Sequence, residues 1–176
     1  MKQVLDAIGA RSSIRGYTAE DLTKEELELI LQAGLQAPTA TNRQEIHFTV
    51  VKRDAEVLKE LDAEKNALRG ITDAPNVFYY NAPVVIFLSA EKEFRWNSVD
   101  AGIAVENMAL AAEGLGLGSL IIGCVYDALH GEKERYFGEK LAFPEGYGFE
   151  IAIAVGHKAV TKEPHTYEQD RQVTFL

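Results

Sequence analysis

Two arginines and two hydroxyls fall within five residues near the start of the chain, in Arg11-Ser12-Ser13-Ile14-Arg15. A guanidinium presents a planar fork of donors that suits a phosphate, and a hydroxyl adds a short hydrogen bond to its oxygens. The apolar positions before them, Val4, Leu5 and Ile8, have helical spacing and predict a helix over 1–10. The arginines therefore arrive at a helix C-terminus, which does not attract anions by itself. Any positive charge for an anion must come from the side chains. The same residues also suit a solvated basic cap on a helix end, and the stretch alone leaves both readings open.

Other catalytic constellations are mostly missing. His47, His130, His157 and His165 show no metal-ligand spacing. Ser12 and Ser13 lie in no Gly-x-Ser-x-Gly elbow, and there is no phosphate-binding Walker loop. Cys124 falls in the apolar run 119–125, which predicts a buried structural thiol in a strand. The glycines of Gly114-Leu115-Gly116-Leu117-Gly118 end a helix and lead into a strand, the reverse of a dinucleotide fingerprint. They read as a helix stop and a tight turn. With no nucleophile and no metal set, chemistry here has to come from a cofactor.

The elements that must position these residues follow from patterning. The 176 residues predict one domain, 1–176, with a polar tail over 159–176. That tail ends in Val173-Thr174-Phe175-Leu176, an apolar tip suited to docking on a neighbouring subunit. Thr23-Lys24-Glu25-Glu26 is a capping box, and Leu27, Ile30, Leu31, Gly34 and Leu35 continue it as an amphipathic helix over 24–36. Pro38 ends that helix. A polar loop, 39–44, precedes a strand over 46–52, and a helix over 54–68 turns Val57, Leu58 and Leu61 inward. Buried strands are predicted over 83–88, 119–125 and 149–155, with a short helix over 132–137. The helix over 98–115 is apolar around most of its circumference and rich in Ala and Gly. Such a helix is buried nearly all round. Either a partner subunit or a covering sheet would do that, and the pattern does not choose.

Net charge and cysteine use narrow the class. A formal charge of -9 argues against nucleic acid as a partner. A single cysteine excludes an internal disulfide and suits a reducing cytoplasm. The opening Met1-Lys2-Gln3 predicts no signal peptide, and no apolar run predicts a membrane span.

Four separated segments together resemble the nitroreductase family of FMN-dependent oxidoreductases. They are Arg11-Ser12-Ser13-Ile14-Arg15, Ala37-Pro38-Thr39-Ala40-Thr41-Asn42-Arg43-Gln44, the helix and turn from Ala101 to Gly123, and Ile151-Ala152-Ile153-Ala154-Val155-Gly156. Pattern alone suggests only a generic α/β sandwich. The resemblance implies an α+β fold, a mostly antiparallel central sheet flanked by helices in an intertwined homodimer. It also implies two FMN molecules at the subunit interface. NADH or NADPH would be the electron donor and an electron-poor small molecule, a nitroaromatic or quinone, the acceptor, alternating by ping-pong hydride transfer. No protein acid or base is required.

The resemblance also implies a site. Arg11, Ser12 and Ser13 fall at the FMN phosphate, and Arg15 at the pyrimidine edge of the flavin, beside Asn66 and Arg69. Pro38, Thr39 and Ala40 would reach the flavin of the partner subunit, with Asn42 and Gln44 holding that loop. Ile122 and Gly123 would form the turn near flavin N5, and Lys162 and His165 would complete phosphate binding from the tail. Glu45-Ile46 stand where the family often has Pro-Trp or Pro-Phe, which puts a carboxylate beside the loop. A flavin-storage or sensor protein with little turnover is the alternative, and an interaction module that lost the cofactor is a third reading.

Overall fold

The computed structural model describes residues 2–164, 166–168 and 172–176. Helix α1 (Lys2–Ala10) is followed by α2 (Lys24–Leu35), strand β1 (His47–Lys52), α3 (Glu56–Leu68), β2 (Val84–Glu91) and α4 (Asn97–Gly114). Then come β3 (Gly118–Ile122), α5 (Tyr126–His130), α6 (Glu134–Lys140) and β4 (Tyr147–Gly156). The predicted capping box forms: Thr23 Oγ1 accepts from Glu26 N at 3.2 Å, and Glu26 Oε2 accepts from Thr23 N at 2.8 Å. Such a cap is worth about 1 kcal/mol.

The four strands make one antiparallel sheet in the order β1-β2-β4-β3. This is the α+β class, and the α/β sandwich suggested by pattern alone is corrected. Hydrophobic residues on both faces of β2 and β4 demand cover on both sides. On one face α3, α5 and α6 bury Leu58, Leu61, Phe87, Phe137 and Phe149. On the other, α2 and α4 bury Ile30, Ile86, Met108 and Ile153. Gly34 lets α2 approach α4 closely, since a Cβ there would stand 2.9 Å from both Met108 and Phe48 side-chain atoms.

Several expectations shift. Strand β3 stops at Ile122, so Gly123, Cys124 and Val125 lie in the turn before α5, which the pattern did not predict. Cys124 is therefore half-buried in a turn rather than sealed in a strand. The apolar face of α1 is not covered by the described residues: Val4, Leu5 and Ile8 are 60%, 63% and 47% exposed. On α4, Val99 and Ile103 remain exposed, so the covering sheet by itself does not complete the burial of that helix among the described residues.

Candidate functional site

The segment after α1 is held in extended form along β3. Ile14 N donates to Ser119 O at 2.9 Å, Ser13 bridges Ser119, and Tyr17 donates its hydroxyl to Ile14 O at 3.0 Å. Burial pushes the Tyr17 phenol well above its usual pKa, with Arg15 pulling weakly the other way, so it stays a neutral strut. Extended backbone alternates its side chains. Ser12 and Ile14 are buried, whereas Arg11, Ser13 and Arg15 share the outer face. Arg11, with Ser13 the predicted phosphate grip, already faces an anion, its Nε standing 3.5 Å from Glu106 Oε1 of α4.

Helix α3 presents the second half of the site. Asp62, Lys65, Asn66 and Arg69 fall at i, i+3, i+4 and i+7 and so share a face. The Asp62 carboxylate is buried and gathers three donors. Lys65 Nζ and Phe78 N reach Oδ1 at 2.8 and 2.9 Å, and Asn66 Nδ2 reaches Oδ2 at 3.2 Å. Arg69, at the helix C-cap, donates to Cys124 O at 2.8 Å and lies 4.0 Å from Asp127. That bond ties α3 to the turn after β3.

Between these parts lies a cleft of about 290 Å³. Arg15, Lys65 and Arg69 bring three cations to it, and Leu120–Gly123, Phe78 and Tyr80 line it. A net charge of -9 makes such a gathering of cations a local exception. At the edge of this face, Asn66 Oδ1 is buried with no hydrogen-bond partner among the described residues. A buried acceptor left unpaired is costly and suits a ligand N–H. At Gly123 an added Cβ would meet only Ile151 Cδ1, at 3.8 Å, so the turn is bare toward the cleft. Within the cleft, donors for carbonyl or anionic oxygens and an uncovered backbone fit the edge of a planar heteroaromatic ring that carries such oxygens.

The loop over 38–44 stands elsewhere and does not line this cleft. Ala40–Asn42 form a 3₁₀ turn, with Thr41, Asn42 and Gln44 all at positive φ near 55°. The turn is fixed by Gln44 N donating to Thr39 Oγ1 at 2.9 Å and Ala40 N donating to Asp100 Oδ2 at 3.0 Å. Glu45 follows, with both carboxyl oxygens buried and unpaired. Burial, followed by the Asp100 carboxyl beside it, raises the Glu45 pKa against the opposing pull of its own backbone N–H and of Arg43. Arg43 is itself paired with Glu91. Lys162 is exposed on the tail, and His165 lies outside the described residues.

The nitroreductase family model matches residues 8–157. The chain belongs to the nitroreductase family. An Archaeoglobus fulgidus relative is 34% identical over 174 residues, covering 97% of this chain and 92% of its own. The FMN reductase [NAD(P)H] of Bacillus subtilis is 29% identical over 195 residues, with 100% and 76% covered. The crystal structure of an FMN-bound nitroreductase from Desulfitobacterium hafniense DCB-2 superposes with a TM-score of 0.88 at 32% identity, covering 100% of this chain and 99% of that one. The α+β architecture above is that of these nitroreductases.

Of the residues singled out by sequence, Arg15, Arg69, Ile122 and Gly123 converge on the cleft, and Asn66 sits beside it on α3. Arg11 and Ser13 occupy the same extended segment, and Ser12 turns inward. Lys65 and Asp62 carry no signal in the apolar pattern of the sequence. Extending the Asn66/Arg69 spacing back by one turn would have found them.

Proposed function

We propose that this nitroreductase-family chain is an FMN-dependent NAD(P)H oxidoreductase that delivers electrons to electron-poor small molecules such as nitroaromatics and quinones. The cationic cleft at the end of β3 carries the reading. FMN bound there would take hydride from a nicotinamide and pass reducing equivalents to an acceptor. Arg15 and Arg69 would hold positive charge against the pyrimidine edge of the flavin, where two-electron reduction places negative charge, and so favour reduction. Arg11 and Ser13 would grip the phosphate, with Glu106 yielding Arg11 to it. Ile122 and Gly123 offer backbone without side-chain obstruction. Donor and acceptor would use the cleft in turn, which is the ping-pong pattern.

The pairing of two chains belongs to the same reading. The exposed Val4, Leu5 and Ile8 of α1 and Val99 and Ile103 of α4 form apolar surface that a second copy would cover. The loop over Pro38, Thr39, Ala40, Asn42 and Gln44 would then serve the partner's cleft, since it does not reach its own. Lys162 and His165 would reach the phosphate from the tail.

The test is the visible spectrum of purified protein before and after anaerobic NADH or NADPH. Yellow protein that bleaches supports the reading. Colourless protein that takes up no FMN overturns it. Protein that stays yellow with both nucleotides would instead be a flavin store or sensor. A fully loaded monomer by solution mass overturns the pairing.

A further inference from the structure

The three cations of the cleft are held very differently. Lys65 is bound to the Asp62 carboxylate at 2.8 Å, and Arg69 donates to Cys124 O at 2.8 Å. The Arg15 side chain is exposed and makes no hydrogen bond or ion pair among the described residues. Its direction is therefore set by the backbone that carries it. That backbone is anchored on both sides. Before it, Ile14 N donates to Ser119 O at 2.9 Å; after it, Ala159 N donates to Gly16 O and Thr18 N to His157 O, each at 3.0 Å. Between these anchors the Arg15 N–H and C=O make no backbone hydrogen bond among the described residues. The bond that falls in the interval comes from a side chain: the Tyr17 hydroxyl donates to Ile14 O at 3.0 Å. A phenol has one O–H to give, and Ala154 O, at 3.4 Å, is the poorer acceptor. The Tyr17 ring is itself seated, packed on the core beside the end of β4, where a Cβ on Gly156 would stand 3.0 Å from Tyr17 Cδ1.

We propose that Tyr17 is a positioning residue for Arg15: its hydroxyl holds the Ile14 carbonyl, fixes the Ile14–Arg15 peptide and so presents the otherwise unheld guanidinium to the cleft. This rests on the flavin reading above and specifies what keeps one of its cations in place. Arg11 and Ser13 lie on the far side of the Ile14 N–H bond to Ser119 and do not depend on the hydroxyl. The effect of Tyr17 is therefore confined to the ring end of the ligand and spares the phosphate end. It is also larger for the reduced flavin, whose negative charge Arg15 would face.

The experiment is a double-variant cycle on the apoprotein, with FMN and riboflavin as ligands and quenching of flavin fluorescence as the readout. Tyr17→Phe keeps the ring and removes only the O–H. It is expected to weaken FMN and riboflavin alike, by about fivefold, the loss of one neutral hydrogen bond. A loss for FMN alone would put the damage at the phosphate and overturns the proposal. Arg15→Gln is expected to weaken both flavins by about tenfold, and the double variant to bind no more weakly than Arg15→Gln alone, because Tyr17 acts through Arg15. Losses that multiply mean a general loosening and overturn it. In Tyr17→Phe, reduced FMN should lose about threefold more affinity than oxidised FMN, which lowers the midpoint potential by about 15 mV; an unshifted potential overturns it. Should Tyr17→Phe fail to fold, the native apoprotein still decides: the Arg15 backbone N–H is expected to be ordered, with an order parameter of about 0.85, and a value below about 0.6 overturns the proposal. Native affinity in Tyr17→Phe beside weakened binding in Arg15→Gln overturns it and leaves the flavin reading in place. A native protein that takes up neither flavin overturns the flavin reading itself.

Discussion

The cleft beside β3 and the loop beside the start of α4 treat charge in opposite ways. At the cleft, Arg15, Lys65 and Arg69 converge although the chain as a whole is acidic, and only Lys65 is closely matched by a buried carboxylate. At the loop, Glu45 and Asp100 bring two carboxyls together, and burial, with the Asp100 carboxyl beside it, raises the Glu45 pKa. Guanidinium groups cannot shed charge in this way, since their pKa lies far above neutrality. A site meant to hold an anion is therefore built from arginines, whereas a carboxyl partly buried beside another holds its proton more tightly than in water.

The contrast can be broken most severely at the cationic end. Replacing both Arg11 and Arg15 with Ala removes two charge-assisted donors, each worth about 1.5–3 kcal/mol. FMN affinity in the apoprotein should fall by more than about a hundredfold, read by equilibrium dialysis. Retention of flavin at native levels would dissolve the distinction between the two regions. A smaller loss, about tenfold, is expected for Arg69→Gln, which also frees the turn at Cys124; fluorescence titration reads it.

The acidic end predicts a gain. The Glu45 pKa is raised in the folded state, so the native chain holds more protons than the unfolded one, and stability falls as pH rises from the ordinary glutamate range through the folded value. Glu45→Gln keeps the hydrogen-bonding shape without the charge. Its melting temperature at neutral pH should rise by about 2–4 °C, and the decline with pH should flatten. Unchanged melting curves at both acid and neutral pH would mean that Glu45 is simply solvated. The smallest effect is expected at Glu106→Gln. Arg11 loses a half-exposed counter-ion, and affinity for FMN should improve by about two- to threefold at low salt; no gain at any ionic strength would remove Glu106 as a competitor.

Much of this was readable in the residues, and the failures have physical causes. The capping box at Thr23 and the strands β2 and β4 follow from local pattern, since cap chemistry and continuous apolar runs are short-range signals. The sequence pattern runs β3 on to Val125 because that residue is as deeply buried as the strand it follows, and burial without pairing looks the same in a sequence. The resemblance points to Arg15 and Arg69 but not to Lys65, because the apolar pattern of a helix hides a charged residue that packs inward. The state of Glu45 depends on Asp100, more than fifty positions away, and only the packed chain brings them together. The exposed side of α1 was legible as apolar, but not as uncovered.

The placement of loop and cleft at different stations on one chain has a genetic consequence. In the proposed pairing, each reaction centre borrows its loop from the other polypeptide. A variant crippled at Arg15 and another crippled at Thr39 would each be inactive alone. Co-expressed, they would form mixed pairs in which one centre receives both damaged parts and the other receives neither, so activity would reappear from two dead alleles.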